Sequence, residues 1–194
     1  GGGGGSGNSE QKFNEEKTKD PTEEKDRYRV IKNKIEDLTA TYENLSGAKD
    51  KAFGAAKLAA LNREIDAQRK LTAANKTYLN QIEGYLSSDK SALQAKALSL
   101  GITAAFDENG TLTNYDTLVQ EAVDRYNDAV EEFNKHTTDD EGAKAAFEAA
   151  QEEYDDFMEI LDQYDETHDL WLEQMQTVLD DIMNEQALQL ERTQ

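Results

Sequence analysis

The sequence predicts an all-α protein: a long antiparallel coiled-coil helical hairpin with a small β-hairpin-like turn at about 101–113. Three observations lead there. First, Ala143, Phe147, Ala150, Tyr154, Phe157, Leu161, Tyr164, His168, Trp171, Met175, Val178 and Ile182 step by four and three without a slip, and only His168 is neither apolar nor aromatic. A strand would alternate with period two. A strict 3.5-residue repeat drifts by about 20° per heptad on a straight helix, so such helices wind around each other with a left-handed twist. Second, residues 21–98 and 114–192 are arms of nearly equal length on either side of one turn. Each would reach on the order of 115 Å if unbroken, at about 1.5 Å per residue. Third, only 37% of the 194 residues are hydrophobic and mean hydropathy is -0.87. That is too polar for a thick core and suits thin helical layers in which only the seam positions are apolar.

The elements follow in order. Residues 1–19 open as GGGGGSGNSE with no Met. They read as a flexible Gly-rich leader, from a fragment of a longer protein or a chain with an added leader. The first coiled-coil arm spans 20–100. Asp20 is a good N-cap, Pro21 suits the first helical position, and Glu23 sits where a capping box places it. The seam then runs Tyr28, Ile31, Ile35, Leu38, Tyr42, Leu45, and Gly47 interrupts or bends it. In 52–65 small residues dominate, with Phe53, Leu58, Leu61 and Ile65 as larger knobs; alanines let a neighbouring helix approach closely. The pattern loosens through Leu71, Tyr78, Ile82 and Tyr85. Gly84 and Ser87-Ser88-Asp89 suggest a break near 87 and a final piece from about Ser88 to Leu100.

The turn at 101–113 centres on Asp107, Asn109 and Gly110, because Asn-Gly tolerates positive φ. Phe106 and Leu112 flank it and could pair. The acidic second arm, 114–192, opens with Thr113 or Asn114 as cap and carries Tyr115, Leu118, Ala122, Tyr126, Ala129 and Phe133. A break near 136–141 follows, with Thr138 and Glu141 spaced as a capping box. The long seam then continues to about Leu190. Parallel self-association of long helices is the rival arrangement.

Charge is uneven. Residues 1–100 carry 17 Lys/Arg and 15 Asp/Glu, net +2; residues 101–194 carry 4 and 26, net -22. The acidic half predicts no direct nucleic-acid binding, whose affinity comes from neutralising phosphates, and no contact with anionic membranes. The acidity keeps a helical protein soluble, or docks on a less acidic surface. No apolar run of about 18 residues is present to span a bilayer, and the absence of Cys excludes disulfides and Cys-based metal sites.

No residue pattern points to a reaction. The stretch FDENGTLTNYD places Gly110, Asp107 and Asn109 at EF-hand positions six, three and five. Ala105 at position one has no side-chain oxygen and Asp116 at twelve is short, so the turn reading is preferred. His168 reads as a metal ligand or pH switch, or as a half-buried ring satisfied by a carboxylate such as Asp165 or Asp169. The second reading is preferred, because His136 is the only other histidine. The carboxylates of EEYDDFMEILDQYDE lie between seam residues, as a solvated face does, and form no acid/base pair across a cleft. Phosphate-binding and nucleophile-elbow motifs are absent. Neither an enzyme nor a cofactor is expected.

The phrases EKDRYRVIKNKIEDL (24–38), KDKAFGAAKL (49–58), FDENGTLTNYDTL (106–118) and RYN (125–127) occur in that order. With them the chain resembles the tail tape measure proteins of tailed bacteriophages and prophages, over about 24–194. The resemblance implies a helical virion component packed in the tail tube, whose extended length sets tail length. It implies tail-tube and tail-assembly chaperone proteins as partners, and the phage tail, or host cytoplasm during assembly, as location. No catalytic residue is carried over. A cellular coiled-coil scaffold or adaptor, binding a partner through an acidic helical face, is the alternative.

Overall fold

A computed structural model describes residues 27–194. The leader and the Asp20–Glu23 cap lie outside the described residues. The described chain is all-α, with four α-helices: α1 (Arg29–Leu45), α2 (Gly54–Ser99), α3 (Tyr115–Phe133) and α4 (Glu141–Arg192). α1 ends where Gly47 takes φ 83°, and a short 3₁₀ turn, Ala48–Lys51, leads towards α2. A positive φ of that size suits glycine and is costly for most other residues.

Contacts divide the chain into two compact units. One is Leu86–His168. The other joins residues through Tyr85 with Asp169–Gln194. α2 and α4 each contribute residues to both.

In Leu86–His168, the buried core takes Leu93 and Ala97 from α2, Leu100, Ile102 and Ala104 from the turn, Leu118 and Ala122 from α3, and Phe157, Leu161 and Tyr164 from α4. Each large side chain buried here contributes about 1.5–3 kcal/mol. Beyond the core, Phe147 stacks on Phe133 at 4.8 Å, and Tyr126 lies 5.3 Å from Tyr154.

The second unit has two small apolar clusters. Ile31, Ala74, Tyr78 and Ile82 form one, with Tyr28, Ile35, Leu38 and Trp171 against it. Leu61, Ile65 and Leu188 form the other, with Tyr42 beside them. Buried polar residues also lie along α2 and α4: Glu64, Gln68, Thr72, Asn75 and Gln174.

Of the residues expected on the two seams, Ile31, Phe157, Leu161, Tyr164 and Val178 are buried. Tyr28, Ile35, Leu38, Tyr42, Leu45, Phe147, Tyr154, Trp171, Met175 and Ile182 are half-buried.

Several local expectations need correction. Phe53 is 88% exposed and Leu58 49%, so the knobs of that stretch are Leu61 and Ile65. Phe53 precedes the first turn of α2, where no core position is available. Tyr85 is also exposed, although its ring meets Tyr28 edge-on at 5.4 Å. α2 continues without interruption through Gly84 and Ser87-Ser88-Asp89. Asp89 is buried and its carboxylate accepts the Thr167 hydroxyl at 2.6 Å. That tertiary bond outweighs the modest local preference of these residues for a helix end. At the start of α4, the cap is Asp140, whose Oδ1 accepts the Ala143 N–H at 3.0 Å, in place of the Thr138–Glu141 box.

Candidate functional site

The turn between α2 and α3 is densely hydrogen-bonded. It starts at a helix end closed twice: Ile102 N–H donates to Ala97 O and Gly101 N–H to Leu98 O. This is the Schellman pattern, with Gly101 at φ 76° in the left-handed position. Ile102 and Ala97 then share the core.

The tip is built around Asp107. Its Oδ1 accepts the N–H groups of Asn109 and Thr111, both at 2.9 Å. Its own N–H donates to Thr111 O, and Gly110 N–H returns to Asp107 O. Gly110 sits at φ 82°. One antiparallel bridge pairs Phe106 with Leu112. Asn114 stands at the N-cap of α3, as expected, while its side chain serves the turn. It accepts the Ala105 N–H and donates to Thr103 O, at 2.9 and 2.8 Å. An amide side chain can do both at once because it carries donor and acceptor together.

α4 fastens this tip. The Tyr164 hydroxyl donates to Gly110 O at 2.9 Å and accepts the Leu112 N–H at 3.1 Å. Its ring meets Phe106 edge-on at 5.6 Å. One helical turn on, His168 Nε2 lies 3.2 Å from Thr111 Oγ1, and its ring stacks on Tyr164. His168 thus meets the turn's own hydroxyl. Lys90 Nζ, from α2, lies 4.8 Å over the Phe106 ring. Burial pushes the Tyr164 phenol above its ordinary value, as do the Asp107 and Asp165 charges, against the pull of the Leu112 N–H. It therefore stays protonated near neutral pH and keeps its donor. Asp107, Asn109 and Gly110 are thus brought together as a turn. Among the described residues, no group of three or more His, Asp or Glu is arranged to hold a metal ion.

A second constellation lies in the other unit. Asn184 Nδ2 reaches Gln68 Oε1 at 2.7 Å and the Tyr42 hydroxyl at 2.8 Å. That hydroxyl donates to Glu64 Oε2 at 3.2 Å. Lys49 Nζ lies 3.5 Å from Glu64 and 2.9 Å from Glu191. Burial draws the Lys49 ammonium down, but its bonds and attraction to those carboxylates outweigh this and raise it overall. Asn75 Nδ2 donates to Asp181 at 2.6 Å, and Gln174 Nε2 to Asn75 O and Oδ1, both at 3.0 Å.

Sequence reasoning missed this ladder. Its signal is a run of neutral or charged polar residues at helical spacing, Glu64, Gln68, Thr72 and Asn75, where an apolar face would otherwise stand. Both constellations position backbone and helices. No described helix is long and apolar enough to cross a membrane. No family model, curated protein or solved structure matches the chain.

Proposed function

We propose that this chain is a structural coiled-coil segment of a phage tail tape measure protein, contributing to tail-length determination and tail assembly. The observation that carries the reading is the phrase FDENGTLTNYDTL, which resembles the family; it follows the 46-residue α2 and opens α3, with the 52-residue α4 beyond. A helix converts residue number into length linearly, at about 1.5 Å each, so long helices suit a ruler.

The two long helices read as an antiparallel coiled-coil hairpin. Supporting this, the partners fall along α4 as they rise along α2: Asn62 with Arg192, Gln68 with Asn184, Asn75 with Gln174, and Glu83 with Trp171. In this reading, tail-tube and tail-assembly chaperone proteins are the partners, the virion tail is the location, and no catalysis is involved.

The test is genetic. Removing or duplicating about 28 residues, in whole heptads, from an arm of the parent reading frame should shorten or lengthen the phage tail seen by electron microscopy. Tails of unchanged length would overturn the proposal.

One observation favours a cellular scaffold or adaptor instead: the concentration of acid in residues 86–168, with 5 Lys/Arg against 21 Asp/Glu. The parent frame separates the two readings. A mostly helical chain several times longer, with apolar segments, supports the tape measure. A short frame with a recognition domain supports the adaptor.

A further inference from the structure

In the unit formed by residues through Tyr85 and Asp169–Gln194, two exposed features match each other. The first is a stripe on α4. Leu172, Leu179, Met183 and Leu190 are 50%, 51%, 65% and 66% exposed. With Gln176 and Gln186 they complete a second four-three series, 172, 176, 179, 183, 186, 190, on the face opposite Gln174, Val178 and Leu188. Scattered exposed leucines need no explanation, but a heptad-spaced row is the pattern that packs against helices. Glu173 and Asp180 each follow a stripe leucine by one position and are exposed.

The second feature is a groove of about 380 Å³ between α1 and α2. Leu38, Leu45 and Ala67 give it an apolar floor, and Arg63 and Lys70, with Asp66 between them, line its edge, two cations to one carboxylate. Lys70 has a local partner, Asp66 at 3.1 Å, but both are about two-thirds exposed, and such a surface pair is worth little. The cation is therefore free to turn to a better-placed carboxylate.

We propose that the groove of one copy of this chain receives the Leu172–Leu190 stripe of a second copy. Charge complementarity selects that occupant: Glu173 and Asp180 beside the leucines meet Arg63 and Lys70 beside the groove. Stripe against stripe would instead gather four carboxylates around an apolar contact with no cation between them. A molecule cannot fill its own groove this way, because α4 turns its other face to α2. This unit is also the one able to self-associate: its described residues carry 12 Lys/Arg against 13 Asp/Glu, whereas residues 86–168 are net -16. Because groove and stripe are different patches, the contact is heterologous and builds chains or rings of copies.

Sedimentation of the full chain at rising concentration tests this. The wild type should gain mass with concentration, and less so in high salt. Leu179→Asp with Met183→Asp, and separately Arg63→Glu with Lys70→Glu, should each weaken association by about tenfold or more, since each change costs over about 1.4 kcal/mol. Helical circular dichroism should be unchanged, all four side chains being exposed. The diagnostic result comes from mixing the two variants. One retains a groove and the other a stripe, so the mixture should form dimers and nothing larger. Glu173→Lys with Asp180→Lys should likewise associate with the Arg63→Glu/Lys70→Glu chain and not with itself. A wild type that stays monomeric, a stripe variant that assembles alone, or a mixture that stays monomeric would each overturn the proposal.

Discussion

The two units use opposite means of holding helices together. In Leu86–His168, one continuous apolar core is drawn from α2, the turn, α3 and α4, and the outer surface is strongly acidic. In the other unit, two small apolar clusters are accompanied by a ladder of amides, hydroxyls and carboxylates, and net charge is near zero. The difference separates cohesion from register. Apolar burial is strong but non-directional, so it can hold an acidic unit together against self-repulsion. Hydrogen bonds between Asn75, Gln174 and Asp181, or Gln68 and Asn184, contribute less each but fix which turn of one helix faces which turn of the other, as buried polar residues do in coiled coils.

That comparison can be broken most sharply at Phe157, fully buried in the apolar core. Phe157→Ala should cost about 3–5 kcal/mol, read from urea unfolding, with faster amide exchange concentrated in residues 86–168. A loss below about 1 kcal/mol, well under the large-to-small range, would mean this core is not what holds the unit. The ladder should respond differently. Asn184→Ala leaves the Tyr42 hydroxyl and Gln68 carbonyl short of a donor and should cost about 1–2 kcal/mol. Replacing Gln68 and Asn184 together with leucine should be nearly neutral in stability. Disulfide trapping between α2 and α4 should then capture several registers where the wild type gives one. A single register in the double variant would show that the ladder does not set alignment.

How much of this was legible follows from what kind of force acts at each position. Seam spacing is a one-dimensional signal, so Phe157, Leu161 and Tyr164 could be read as inward-facing before any fold was known. The Asn109-Gly110 turn was legible for the same reason, since positive φ at Gly110 is a local requirement. Asp89 was not. Beside two serines it reads as a helix end, and only Thr167, 78 residues on, makes it a helical interior. Gln68 and Asn75 were hidden likewise: a polar residue at a seam position reads as solvent-facing until its partner on the other helix is known. Tyr164 was half legible. Its ring belongs to the four-three series and is buried in the core, but the reach of its hydroxyl to Gly110 and Leu112 depends on where the turn lands.

Tyr164→Phe keeps the ring and removes both hydroxyl bonds, so it should cost about 1–2 kcal/mol and speed exchange of the Leu112 amide in particular. The raised phenol value also gives a sign. The fold holds the phenol proton more tightly than the unfolded chain, so this contribution is complete below pH 10 and is lost as pH rises through the higher folded value. The Phe variant should lack that alkaline loss. If wild type and variant loosen alike above pH 10, the hydroxyl is not what fastens the turn.

The smallest expected effect lies at the entry to α4. Asp140 is held below the ordinary carboxylate value first by the Ala143 N–H, with His136, 3.2 Å away, also favouring the charged form against some desolvation. A folded value below the unfolded one means the cap is complete above the ordinary value of 3.8 and is lost as pH falls through the lower folded value. Acid should therefore fray the first turn of α4 before it disturbs Phe157 and its neighbours, whose own side chains do not ionise in acid. Asp140→Asn keeps an acceptor for Ala143 and should abolish the pH dependence; Asp140→Ala should fray the turn at every pH. Ala143 amide exchange measured from pH 2 to 6 distinguishes them, about 2 to 6 being the window around the carboxylate values. Equal acid sensitivity in Asp140→Asn and wild type would place the titrating group elsewhere.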